Sequence, residues 1–301
     1  MSELIFSASG RLTHLICGTR EMNAVWSARQ TVQSMLDVEA ALARASAEHG
    51  VIPSSAVAAI VAACNADLID PDAAKYVRWG ATSQDIIDTG TVLQLRSMFD
   101  LLEAGLNETC DALANQAQTY RTMPAIGRTW LQQALPITLG LKFAQWLDAL
   151  IRHRERLAQC RSRVLALQFG GAAGMLASLR DKAPLVTQSL ADDLRLQRPT
   201  LPWHTQRDRI AEAAACFGML TGTLGKIARD ISLQMQTEVG ELAEPAAAGK
   251  RAVHQRCRTS ATRSAVQPCS PPRCASRIWS RPCSAAWFRN MNARSAAGRL
   301  N

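Results

Sequence analysis

Between Asn23 and His49 the apolar residues Val25, Val32, Met35, Leu36, Val38 and Leu42 return at steps of three and four among Ala, Gln, Glu and Arg. That spacing lays one stripe along one side of an α-helix. Gly50 follows directly and predicts the helix end, because glycine takes the left-handed closing conformation without steric cost. "IPSSAVAAIVAAC" restarts a shorter apolar run, with Ser54 or Ser55 expected as its cap. Asp88 to Thr119, Leu135 to Leu167 and Gln206 to Glu241 each hold the helical period for about thirty residues, well beyond the ~11 to 12 of an average globular helix. Alternation of the β type is almost absent. The pattern predicts an all-α protein built on a bundle of long helices.

Four irregular stretches separate these segments: "DPDAAKYVRWGATSQD", "RTMPAIGRTWLQQALP", "LQFGGAAGML" and "LRLQRPTLPWHTQRD". In "GATSQD" the hydroxyls of Thr82 and Ser83, the amide of Gln84 and the carboxylate of Asp85 stand just before a helix. Hydroxyls and free backbone N–H groups at such a place can cradle an anion, but a capping turn is the commoner use of such residues. "GRTWLQQALP" sets Arg128, Thr129, Gln132 and Gln133 ahead of another helix, a group able to grip a carboxylate. It reads equally well as a polar helix entry with Trp130 buried. "FGGAAGML" lacks the GxxxxGK[ST] form and follows no strand, so a tight turn explains it better than a phosphate loop. Glu238, Glu241 and Glu244 fall at three-residue steps and read as a solvated helix face. Taken singly, none of these identifies a function.

Charge changes the picture only after it is divided. The 301 residues carry a net +9, but residues 1–250 stand at −1 and the last 51 residues hold ten Arg with no Asp, Glu or Lys. Cysteine divides similarly, with Cys17, Cys64, Cys110, Cys160 and Cys216 lying singly in apolar or helical segments, as suits reduced, buried thiols. The tail cysteines lack CxxC pairing and have only His254 near them, which argues against zinc. The first residues lack a basic stretch followed by a long apolar run, and no segment approaches the ~18 uncharged apolar residues of a membrane span. A cytoplasmic protein with no membrane partner is expected.

Taken in order, "RWGATSQDIIDTG", "GRTWLQQALPITLG", "FGGAAGMLASL" and "QTEVGELAEPAAAGK" resemble the fumarase/aspartase superfamily, and within it the bacterial cycloisomerases that lactonise carboxymuconate. The resemblance covers nearly all of residues 1–250. It implies a small helical N-terminal domain, here 1–87, a central bundle of long helices, here 88–250, a C-terminal helical domain, assembly as a homotetramer, and active sites each built from segments of three subunits. It implies that Thr82, Ser83, Thr129 and Gln132 contact a small di- or tricarboxylate substrate, with Gln84, Asp85, Arg128 and Trp130 lining the site. No cofactor and no metal are implied. Trp130 stands where the amine-releasing lyases of the superfamily usually carry histidine. An indole cannot act as acid or base, which favours lactonisation over an adenylosuccinate-lyase-like elimination.

The superfamily continues after such an "AGK" with a signature loop of the form GSSxMPxKxNP, which carries the catalytic serine. Here "RAVHQRCRTSATRSAV" stands instead, so no catalytic residue is identifiable in this chain. Joining the last base of each codon to the first two of the next lets this segment be re-read as "GGSSAMPHKRNPVGC". Only the first base of each recovered codon is largely free, so recovery of the whole loop by chance is remote. The sequence therefore points to a one- or two-base slip in the coding frame near Lys250. Residues 251–301 are then expected to be out of frame and disordered. Their arginines reflect GC-rich codons rather than a specific nucleic-acid partner. A chain ending this way is expected to be poorly soluble and catalytically inactive, a helical fragment of its parent enzyme.

Overall fold

The computed structural model describes residues 19–64 and 79–242. The expectations for the tail, for Cys17, for Glu244 and for the N-terminal residues lie outside the described residues. Helix α1 (Arg20–Val25) leads to α2 (Ala28–Glu48), followed by α3 (Ser54–Ala63), α4 (Ser83–Thr119), strands β1 (Pro124–Thr129) and β2 (Gln132–Thr138), and α5 (Leu139–Val164). A 3₁₀ segment (Ala177–Lys182), α6 (Ala183–Leu194) and α7 (Asp208–Gln234) complete the described chain. The all-α expectation is borne out, with one two-stranded antiparallel sheet added.

The helix ends show why the chain breaks where it does. Ser27 caps α2, its hydroxyl accepting from the Gln30 N–H at 3.1 Å. At the other end Gly50 (φ 63) donates to Ala47 O and Val51 donates to Ser46 O, the paired bonds of a left-handed helix close. The serine cap expected for the next helix is absent. Pro53 occupies that position at φ −63, ψ 134 with no side-chain bond, its ring fixing the φ that leads into α3. Helix α4 begins at Ser83, five residues before the predicted start, and α7 ends at Gln234, seven before the predicted end.

The chain divides into two compact units. One comprises Glu21–Leu101 and Leu157–Cys216. Its core gathers Val38 and Leu42 of α2, Ile86, Val92 and Leu93 of α4, Leu167, Phe169, Val186, Leu190 and Trp203. The other comprises Leu102–Arg156 with the segment from Phe217 onward. There Leu106 and Leu113 of α4, Phe143, Trp146 and Leu150 of α5, and Leu220 and Leu224 of α7 are buried. Phe143 meets Trp146 edge-on with ring centroids 5.4 Å apart, and the Trp146 indole N–H donates to Asp230 at 3.1 Å.

Candidate functional site

The segment "GATSQD" is the entry to α4, and its anchor is Asp85. This carboxylate is 1% exposed. Its Oδ2 accepts from the Thr82 N–H at 3.0 Å and the Gly171 N–H at 2.8 Å. Its Oδ1 accepts from the Gly170 N–H at 3.1 Å and from Gln168 Nε2 at 2.9 Å. The reach from Asp85 back to the Thr82 N–H is half of a capping box. The same carboxylate ties the glycine turn Gly170–Gly171 against the helix entry. Gly171 has φ +66, and a Cβ there would lie 2.9 Å from the Gly80 carbonyl oxygen. Only glycine permits this approach. Asp85 thus faces inward, while Ser83 is exposed and Thr82 and Gln84 are half-buried.

Gln168 links this anchor to a further segment. Its Oε1 accepts from the Trp203 N–H at 2.6 Å, its backbone N–H is accepted by Thr89 Oγ1 at 3.0 Å, and its Nε2 stands 3.4 Å from His204 Nδ1. Arg207 grips Asp88 through Nη1 to Oδ2 at 2.6 Å and Nη2 to Oδ1 at 3.0 Å, and its guanidinium lies 5.7 Å from the Trp203 ring centroid. The hydrogen bond to Asp88 raises the Arg207 pKa above its ordinary value, which keeps this partly exposed cation paired. Sequence reasoning marked "LPWHTQRD" as an irregular stretch and singled out none of its residues. The signal available was the clustering of His, Gln and Arg beside a buried-type Trp in a connection between long helices.

The second predicted group lies in the other unit, on β1 and β2. These strands pair from Pro124↔Thr138 to Thr129↔Gln132, which brings Thr129 opposite Gln132 and leaves Trp130 and Leu131 as a two-residue turn. Both turn residues have positive φ, 52 and 63, the conformation of a type I′ hairpin. Trp130 is 96% exposed, so the helix entry with a buried indole is replaced by a hairpin whose tip projects it. Arg128 does not stand free to grip a ligand. It donates to both oxygens of Glu241, and that bond holds the Glu241 carboxyl below its usual range and the Arg128 guanidinium above its own. Glu241 therefore belongs to an ion pair beyond the end of α7 rather than to a solvated helix face.

A cleft of about 150 Å³ lies beside the glycine turn, lined by Phe169, Gly174, Leu176, Thr187, Arg198 and Pro202 among others. None of the predicted site residues lines it. Cys110, Cys160 and Cys216 are buried and unbridged, as expected, and Cys64 is half-buried. Burial, foremost, pushes the Cys160 thiol up to about 12, which keeps it protonated and unreactive. Among the described residues no group of three His, Cys, Asp or Glu could hold a metal ion, and no helix is long and apolar enough to cross a membrane.

The lyase family is matched over residues 67–251. The chain is 49% identical over 259 residues to 3-carboxy-cis,cis-muconate cycloisomerase of Pseudomonas aeruginosa, covering 76% of this chain and 56% of that protein. It is 47% identical over 259 residues to the enzyme of the same name from Pseudomonas putida, covering 76% of this chain and 61% of that one. The crystal structure of 3-carboxy-cis,cis-muconate lactonizing enzyme from Pseudomonas putida superposes with a TM-score of 0.76 at 48% identity, over 78% of this chain and 60% of that one. The chain thus spans less than two thirds of the length of the relatives it matches.

Proposed function

The chain belongs to the lyase family, and from that premise we propose that it is the N-terminal part of a cycloisomerase that lactonises 3-carboxy-cis,cis-muconate. In this reaction one substrate carboxylate oxygen adds across a conjugated double bond, and a proton is delivered to the neighbouring carbon. The hydroxyls of Thr82 and Ser83 and, from another subunit of the assembly, the side chains of Thr129 and Gln132 bind the carboxylates and steady the enolate-like charge that develops. Asp85 and Arg128 act indirectly. Asp85 holds the Thr82 backbone and the glycine turn, and Arg128 holds β1 through Glu241. Assembly as a homotetramer in the cytoplasm belongs to the same reading.

The observation that carries lactonisation over amine release is Trp130. The hairpin tip presents an exposed indole where an imidazole-dependent elimination needs a proton-transferring ring. We propose further that the parent frame is lost near Lys250, so that the signature-loop serine is absent and this chain is inactive.

The test is to purify the 301-residue chain and a version with the frame repaired after Lys250, and to assay each for lactone formation and for fumarate release. Lactone from the repaired protein alone is expected. Fumarate release, or lactone from the unrepaired chain, overturns the reading. Sequencing the encoding DNA checks the frame, and a gene that specifies Arg251 onward without a slip removes that part of the proposal.

A further inference from the structure

The polar chain from Asp85 through Gln168 to His204 carries chemical information beyond packing, because its two ends fix the orientation of the amide between them. The Trp203 backbone N–H can only donate, so the Gln168 atom 2.6 Å away must be the amide oxygen. The Asp85 carboxylate accepts, and the Gln168 atom 2.9 Å from its Oδ1 must be the amide nitrogen. Gln168 is 1% exposed, which leaves no water to relax these requirements. Its second N–H faces His204 Nδ1 at 3.4 Å. A ring nitrogen facing an N–H donor must offer its lone pair, so the proton of the neutral His204 ring resides on Nε2.

Nε2 itself has no hydrogen-bond partner among the described residues, and His204 is only half-buried. Gly174 packs beside the ring, where a Cβ would make ordinary contact with His204 Cε1 at 3.6 Å. The ring therefore flanks the glycine turn that Asp85 pins against Thr82.

We infer that Gln168 is a positioning residue that holds His204 in the Nε2–H tautomer, and that His204 donates this N–H to a carboxylate of the substrate bound at Thr82 and Ser83. The inference rests on the tricarboxylate site of the proposed function and assigns it a further N–H donor. No bond is made or broken in this role. The N–H is a fixed dipole whose direction is set before the ligand arrives, which spares the site the reorganisation a free imidazole would need.

The test uses the frame-repaired protein of the proposed function, labelled with ¹⁵N at histidine, with propane-1,2,3-tricarboxylate as an unreactive probe. Nitrogen chemical shifts, assigned with the His204→Gln variant, read which ring nitrogen bears the proton. The expected result is a protonated Nε2 in the free protein, with a probe-induced shift larger at Nε2 than at Nδ1. Gln168→Met removes the amide and should yield a mixture of tautomers. Because that variant alters a buried position, His204→Phe serves as the second variant, and it should weaken probe binding in calorimetry about tenfold. A proton on Nδ1 overturns the inference outright. Unchanged affinity in His204→Phe overturns the donor role while leaving the tricarboxylate site standing. A protein that keeps the Nε2–H tautomer yet binds no tricarboxylate overturns the functional reading, and the donor role with it.

Discussion

The Arg128 guanidinium meets Glu241 end to end, Nη1 donating to Oε2 at 2.8 Å and Nη2 to Oε1 at 2.7 Å. The pair fastens the strand that carries Thr129 to the segment beyond α7, and each side chain is only about one fifth exposed, at 21% and 19%. A planar fork matched to a carboxylate is not reproduced by an ammonium group. Arg128→Lys and Glu241→Gln are each expected to lower the unfolding free energy by about 1 kcal/mol, given the remaining solvent screening. Urea denaturation of the singles and the double checks this, and additive effects would show that the two residues do not couple. Since the bond depresses the Glu241 pKa, its contribution is present above the ordinary value of about 4.3 and fades as pH falls through the lower folded value.

Asp85 presents a harsher case because it is buried away from water. Three backbone N–H groups and one amide converge on its two oxygens. In Asp85→Asn one oxygen becomes an NH₂ group and faces donors. The variant is expected to lose about 2 to 4 kcal/mol of stability. A denaturation midpoint equal to that of the parent would sink the claim that this carboxylate holds the glycine turn.

These two residues mark the boundary of what the chain shows before it folds. The long helices are visible in the three-and-four spacing, and Gly50 announces its left-handed turn. The hairpin is hidden because its turn is Trp130–Leu131, with no Gly, Asn or Asp to signal positive φ. Its strands also alternate poorly in burial, β2 being exposed through Pro136. Glu241 looks like one of a row of carboxylates on a helix, and only the stop of α7 at Gln234 frees it to meet Arg128. Local pattern marks "GATSQD" as a binding or capping turn. The decision that Asp85 faces inward is made by Gln168 and Gly170, more than eighty positions away.

His153 supplies a pH dependence of its own. The ring is 5% exposed, its Nε2 lies 2.7 Å from Thr223 Oγ1, and its Nδ1 has no partner. Burial, followed by the charges of Arg156 and Arg152, lowers its pKa below the ordinary value. The folded state therefore resists protonation more than the unfolded chain does. Stability is complete above the unfolded value of about 6.5 and declines as pH falls from there through the folded value. Melting temperature should drop between about pH 7 and pH 5, and His153→Gln should flatten that slope. An identical slope in the variant would assign the effect to other groups.

The hairpin tip carries strain that its exposed side chains do nothing to offset. Trp130 and Leu131 hold φ of 52 and 63 while 96% and 69% exposed. Bulky residues in this region cost of order 1 to 3 kcal/mol each, whereas Asn-Gly adopts the same turn readily. Replacing the pair by W130N and L131G should therefore stabilise the chain by about 1 to 2 kcal/mol, measured by urea denaturation. Strain of this kind persists where the displayed side chains serve something other than folding. In the frame-repaired protein the same exchange should then lower lactonisation at least tenfold while stability rises. Opposite movement of the two quantities is the signature of a functional tip. A more stable and fully active variant would leave the indole without a role in the reaction.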